Sequence, residues 1–132
     1  MKIFQVKLND LQPSQLYINT DKLEAIERKT IEGCDFDPVP LKWIEARIVL
    51  TDGHTRALAA FRQGHSSISA CWDDEELELE AYQVCVDWCL DVGVCTIADL
   101  DSRVVSPDHY EMLWIRRCRL MQDDLAKKRS KK

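Results

Sequence analysis

The chain has 132 residues, 45% of them hydrophobic and 31% charged, with a formal net charge of −5. That length allows one domain around one core, and the balance of apolar to charged residues excludes a disordered or fibrous chain. The excess of acids argues against a generic nucleic-acid surface, and no apolar run approaches the ~20 residues that cross a bilayer.

The opening residues Met1-Lys2-Ile3-Phe4-Gln5-Val6 lack the long apolar stretch of a signal peptide, so a cytoplasmic protein is expected. Residues 1–126 read as one domain, with a core over 3–72, a helical part over 74–126 and a basic tail over 127–132. Ile3 to Leu8 alternates as a strand does, and Asn9-Asp10-Leu11-Gln12-Pro13-Ser14 interrupts it. Thr20 is placed to cap a helix starting at Asp21, with Leu23 and Ile26 on its inner face. Gly33 and Asp35-Phe36-Asp37-Pro38 mark its exit.

Val39 to Ile44 and Arg47 to Thr51 read as a hairpin turning near Glu45-Ala46. Asp52-Gly53 then opens a helix from His54 to about Gln63, with Gly64 suited to its left-handed C-cap. Ser66 to Trp72 returns as a strand with Ile68 and Ala70 on one face. The acids of Asp73 to Glu80 are expected at the start of the next helix, where carboxylates suit the positive end of the dipole. They read as a solvated face rather than a metal cluster, and Leu77, Ala81, Val84, Cys85 and Trp88 form the core stripe behind them. Gly93 ends this helix.

Ser106-Pro107 is a cap followed by proline at the first helical position. Tyr110, Leu113, Trp114, Arg117, Cys118, Met121 and Leu125 make the expected inner stripe of the last helix. Arg117 is the misfit on that face, and calls for either a carboxylate partner or a bound anion. Lys127-Lys128-Arg129-Ser130-Lys131-Lys132 reads as a solvated tail.

The six cysteines, Cys34, Cys71, Cys85, Cys89, Cys95 and Cys118, include no Cys-x-x-Cys pair, and Cys85, Cys89 and Cys95 match no common zinc spacing. They are expected as reduced, mostly buried thiols, and no metal site is expected. His65 and His109 lack partners at any recognisable spacing and read as surface or capping residues.

The segment with chemical content is Thr51-Asp52-Gly53-His54-Thr55-Arg56, followed by Ala57-Leu58-Ala59-Ala60-Phe61. A helix start presents unsatisfied N–H groups and a partial positive charge, which favour an anion. Gly53 permits close backbone approach, His54 and Thr55 add donors, and Arg56 can fork onto phosphate oxygens. Asp52 is an acid beside that site, able to orient a hydroxyl or a metal-bound water. On residue types alone the segment reads equally as a plain capped turn with solvated His54 and Arg56.

Pro38-Val39-Pro40-Leu41, the short hairpin and Thr51-Asp52-Gly53-His54-Thr55-Arg56-Ala57 resemble the heart of the ParB/sulfiredoxin-like superfamily. Leu11-Gln12-Pro13-Ser14-Gln15-Leu16-Tyr17 and Asp21-Lys22-Leu23 are similar to its opening segment, so the resemblance spans about Val6 to Trp72. It implies an α+β fold, a small mixed sheet with flanking helices, here followed by a helical C-terminal half. It also implies that Gly53, His54, Thr55 and Arg56 hold the phosphates of ATP, ADP or CTP with Mg2+, with Asp52 as the catalytic or metal-orienting acid. The corresponding turn reads Gly-Glu-Arg-Arg in partition proteins and Gly-Cys-His-Arg in sulfiredoxins, whereas small-molecule kinases of the family carry one much like Asp-Gly-His-Thr-Arg.

The sulfiredoxin cysteine falls at His54, which removes that reductase chemistry, and a partition protein's helix-turn-helix and dimerisation regions do not fit in the remaining length. The kinases carry an acid near the start of the fold. The comparable stretch here is Gln15-Leu16-Tyr17, with Asp21 the next acid and Glu24, Asp35 and Asp37 as substitutes. The expected function is nucleotide binding with phosphoryl transfer to a small hydroxyl compound. The alternatives are a non-catalytic adaptor domain, its helices with Trp88 and Trp114 packing a partner or a second copy, and, more weakly, a DNA-binding or nuclease-type protein.

Overall fold

The alternating residues at the start of the chain form β1 (Phe4–Lys7), and a 3-10 turn at Leu8–Asp10 ends it. The computed structural model describes residues 2–31 and 36–130, so Gly33, Cys34, Asp35 and the last two lysines lie outside the described residues. The segment after the 3-10 turn is buried from Leu11 to Ser14 although it is neither helix nor strand. Its polar groups are satisfied along the edge of the sheet. The Gln12 N–H donates to the Ile48 carbonyl at 2.9 Å, and the Leu50 N–H donates to the Gln12 carbonyl at 3.0 Å. Burial without such partners would cost as much as the lost hydrogen bonds.

A short β2 (Ile18–Asn19) leads into α1 (Thr20–Ile31). The cap sits one residue earlier than expected. Asn19, not Thr20, accepts the Asp21 N–H on its side-chain oxygen, which frees Thr20 to enter the helix. β3 (Val39–Ile44) and β4 (Arg47–Leu50) pair antiparallel in the register Leu41 with Leu50 and Ile44 with Arg47. The two-residue turn between them holds Glu45 at φ 50° and Ala46 at φ 63°. That is the geometry which matches strand twist, here adopted by residues with side chains.

α2 (His54–Arg62) follows, and Gly64 at φ 87° closes it as expected, with the His65 N–H reaching the Ala60 carbonyl. β5 (Ser67–Trp72) pairs antiparallel with β1, Phe4 against Ala70, and parallel with β3, Val39 against Ala70. The four-stranded sheet is therefore mixed, in the order β1-β5-β3-β4. The fold is α+β, as expected, with flanking helices and a helical C-terminal half.

The acidic stretch departs from expectation. α3 (Leu79–Asp91) starts only at Leu79, and residues 73–78 form a loop that leaves Leu77 ahead of the helix. Asp73 instead extends the sheet through its N–H to the Leu41 carbonyl, while its carboxylate accepts the Thr51 hydroxyl and the Glu75 N–H. These local bonds compete with helix initiation. α3 lies against the face of Ile44 and Val49 through Val86, Tyr82 and Leu90.

After Gly93, a 3-10 helix at Ile97–Arg103 is fixed by a capping box between Thr96 and Asp99. β6 (Val104–Val105) then pairs parallel with β2. Ser106 caps α4 (Pro107–Tyr110) by accepting the His109 N–H, as expected. A π-helical turn, Glu111–Ile115, joins it to α5 (Arg116–Ser130). Within the wider π turn Trp114 is buried at 6% exposure while Leu113 is turned out to 41%, so Leu113 is not in the core stripe.

The main core joins both halves of the chain: Leu41, Leu50 and Ala70 of the sheet, Leu23 and Leu58 of α1 and α2, Cys85 and Cys89 of α3, and Trp114 and Leu125 of the last helices. Cys71, Cys85 and Cys89 are buried and free, Cys118 is half-buried, and Cys95 is exposed, against the expectation of a core thiol.

Candidate functional site

Gly53 stands at the N-cap of α2 with φ 79° and ψ 22°, in the left-handed region. A Cβ there would sit 2.8 Å from both an Arg56 guanidinium nitrogen and a Val39 methyl. Glycine is thus required twice, by dihedral and by space. No side chain caps this helix. The Asp52 carboxylate accepts the N–H of Gly53 at 2.8 Å, while the Ala57 N–H reaches the Gly53 carbonyl. The N–H groups of the first turn are therefore open to an anion.

His54 is 4% exposed, and its Nε2 accepts the backbone N–H of Ser14 at 3.0 Å. An acceptor nitrogen carries no proton, so the neutral ring keeps its proton on Nδ1. Burial pushes the His54 pKa down to about 4, against a smaller opposing pull from the Asp52 charge. The histidine is neutral at ordinary pH and bears on the turn as a fixed dipole, not as a cation.

Arg56 is half-buried, and one guanidinium nitrogen donates to the Pro38 carbonyl at 2.9 Å and the Asp37 carbonyl at 3.3 Å. These bonds anchor the plane of the guanidinium beside Gly53. Among the described residues it has no carboxylate partner. Its charge is left for the pocket.

That pocket has a volume of about 370 Å³ and is lined by Asp52, Gly53, His54, Thr55 and Arg56 of the turn, Lys22, Ala25 and Ile26 of α1, Gln15 and Tyr110. The five turn residues singled out in the sequence thus share one cavity. Arg117 does not. It is exposed and stacks on Trp88, 4.0 Å from the ring centroid, on a different groove between α3 and α5. It finds neither the expected carboxylate nor the pocket at the start of α2, because the α5 face that turns inward after the π turn carries Cys118 instead.

Three polar lining residues stand outside the turn that the sequence singles out. Gln15 donates to the Tyr110 hydroxyl at 3.0 Å and to the Tyr17 carbonyl at 2.8 Å, tying the first loop to α4. The Lys22 ammonium lies 5.9 Å from the Tyr110 ring centroid. Burial, with smaller contributions from Cys118 and Asp52, pushes the Tyr110 hydroxyl up to about 12, so it remains a protonated donor. The C-terminal half therefore supplies one wall of the cavity.

On its far side, Asp52 borders an acidic cleft shared with Asp73, Asp74 and Glu75. An anion is repelled there and favoured on the Lys22 side, so the field across Asp52 has a direction. Asp52 is the one carboxylate lining the smaller pocket among the described residues. Glu24 and Asp37 are exposed and do not line it, and Asp35 lies outside the described residues. Among the described residues, no group of three or more His, Cys, Asp or Glu is placed to hold a metal ion. Among the described residues, no helix is long and apolar enough to cross a membrane.

No family model matches the chain, and no curated protein matches it. It is similar to the crystal structure of protein Atu1540 from Agrobacterium tumefaciens, at 17% identity and a TM-score of 0.51. The match covers 76% of this chain and 61% of that one, so the chain spans about three fifths of that protein's length. At this identity the likeness shows a common fold alone.

Proposed function

We propose that the pocket at the start of α2 binds the phosphates of a nucleotide (ATP, ADP or CTP) and that the bound nucleotide serves phosphoryl transfer to a small hydroxyl compound. The observation that carries this reading is the joining of an uncapped helix N-terminus, Lys22 and Arg56 in one cavity. Backbone N–H groups and two cations there would meet the charge of a phosphate, with Thr55, Gln15 and Tyr110 as neutral donors around it. The resemblance of Asp52-Gly53-His54-Thr55-Arg56 to the ParB/sulfiredoxin-like turn supports the same assignment.

Phosphoryl transfer asks mainly for positioning and charge stabilisation. Asp52 spends one carboxylate oxygen on Gly53 and keeps the other free, so it is the group that would take the proton of an acceptor hydroxyl. If magnesium came in with the nucleotide, Asp52 is the carboxylate that would hold it, and the same free oxygen would then bear on the metal instead of on the acceptor proton.

Calorimetric titration with ATP, ADP and CTP, with and without magnesium, on wild type and Arg56→Ala tests the reading. Binding to wild type that is lost in the variant is the expected result. Equal affinity in both proteins, or no heat with any nucleotide, would overturn it.

A further inference from the structure

The groove between α3 and α5, about 500 Å³ in volume, lies apart from the phosphate pocket and shares no lining residue with it. Leu120 is 60% exposed on its rim and Met112 57%, although large apolar side chains gain most from leaving water. Along α5 the exposed row reads Arg116, Leu120, Asp124 and Lys128, each one turn after the last. Among the described residues, Arg116, Asp124 and Lys128 enter no ion pair, while Arg129 of the same helix pairs with Glu78 and Glu80.

The order of this row carries information about its occupant. Arg116 and Asp124 stand four residues before and after Leu120, about 6 Å along the axis in each direction at the rise of an α-helix. A second α5 laid antiparallel, with the two-fold axis at Leu120, therefore sets Arg116 against Asp124 of the second copy, and Asp124 against its Arg116. Leu120 meets its own equivalent between the two ion pairs. A uniformly acidic or basic partner would leave Asp124 or Arg116 facing a like charge. Read backwards, the row complements itself, which is the property that a two-fold interface requires.

We infer that α5 is a homodimer interface, two copies of this chain packing antiparallel through Leu120 with reciprocal Arg116–Asp124 pairs. Light scattering coupled to gel filtration, on the full chain at micromolar concentration, tests this directly. Wild type is expected at twice the mass of one chain, and Leu120→Glu at the mass of one. Arg116→Asp alone and Asp124→Arg alone should each weaken dimerisation by about tenfold or more, since each sets like charges opposite twice. The double variant Arg116→Asp with Asp124→Arg restores both pairs in reverse and should return the dimer. All these side chains are exposed, and unchanged far-ultraviolet circular dichroism shows that the variants fold. A wild type of one-chain mass or of more than two chains overturns the inference. So does a dimer that survives the single reversals, or a double variant that stays monomeric.

Discussion

The backbone N–H of Ser14 donates to Nε2 of His54 at 3.0 Å, joining the first buried loop to the first residue of α2. This bond needs a neutral ring. Burial has lowered the His54 pKa from 6.5 to about 4, so between those values an unfolded chain takes up a proton that the folded one refuses. Stability contributed by this group is complete above pH 6.5 and falls as pH drops toward 4, by roughly 3 kcal/mol over the window. Urea midpoints measured from pH 4 to 7 should rise with pH. His54→Gln should remove this group's part of the slope, and an unchanged slope in that variant would contradict the assignment.

Gly53→Ala should cost about 1–3 kcal/mol, because it places a side chain at φ 79° and a Cβ 2.8 Å from both the Arg56 guanidinium and Val39. The strain has a direction. Arg56 is the softer neighbour and would swing away from the turn, so nucleotide affinity should fall together with thermal stability. Calorimetric titration and thermal melts on the same variant check both, and a loss of stability with full affinity would mean that Arg56 is not where the ligand binds.

Lys22→Ala separates charge from fold. Lys22 is exposed on α1, and among the described residues it pairs with no carboxylate, so melting should be unchanged within about 0.5 kcal/mol. Phosphate binding should weaken by about tenfold at low salt, and the wild-type loss of affinity on adding salt should become shallower in the variant.

The turn was legible because its chemistry is local: Asp52, Gly53 and Arg56 lie within one turn of a helix that Ala57 to Phe61 announces. The opposite wall was not. Gln15 and Lys22 precede the turn by some thirty residues or more, and Tyr110 follows it at still greater distance, so only packing brings them to it. Helical spacing puts Tyr110 in the core stripe, which is true of its ring but omits a hydroxyl that accepts from Gln15. Periodicity also could not foresee the π turn, which makes a stripe of strict helical spacing place Leu113 on the wrong side. Acids after β5 suit a helix start and an Asp-centred turn alike, and the bonds from Thr51 and Glu75 to Asp73 decide between the two.

Glu45 and Ala46 adopt positive φ at both central positions of the hairpin turn, where Asn and Gly are the favoured pair. A left-handed dihedral costs a residue with a Cβ on the order of 1–2 kcal/mol. Glu45→Asn with Ala46→Gly should therefore stabilise the protein by about 1 kcal/mol, after allowing for the extra freedom glycine gives the unfolded chain. Both residues are exposed and far from the pocket lining, so ligand affinity should not change. Chemical denaturation of the pair variant gives the answer.

Arg117 tests whether the two grooves are independent. Its guanidinium lies 4.0 Å from the Trp88 ring centroid, and Trp88 meets Trp114 edge-on at 6.1 Å. Removing the cation in Arg117→Ala should cost about 0.5–1 kcal/mol of stability through the lost stacking. It should also shift tryptophan emission, since the indole loses its cover. Nucleotide affinity should stay within about twofold of wild type, because α5 presents this side chain to the α3 groove and not to the pocket of Lys22 and Arg56. A large loss of affinity in Arg117→Ala would instead place the anion on the α3–α5 side. The phosphate assignment at the start of α2 would then have to be abandoned.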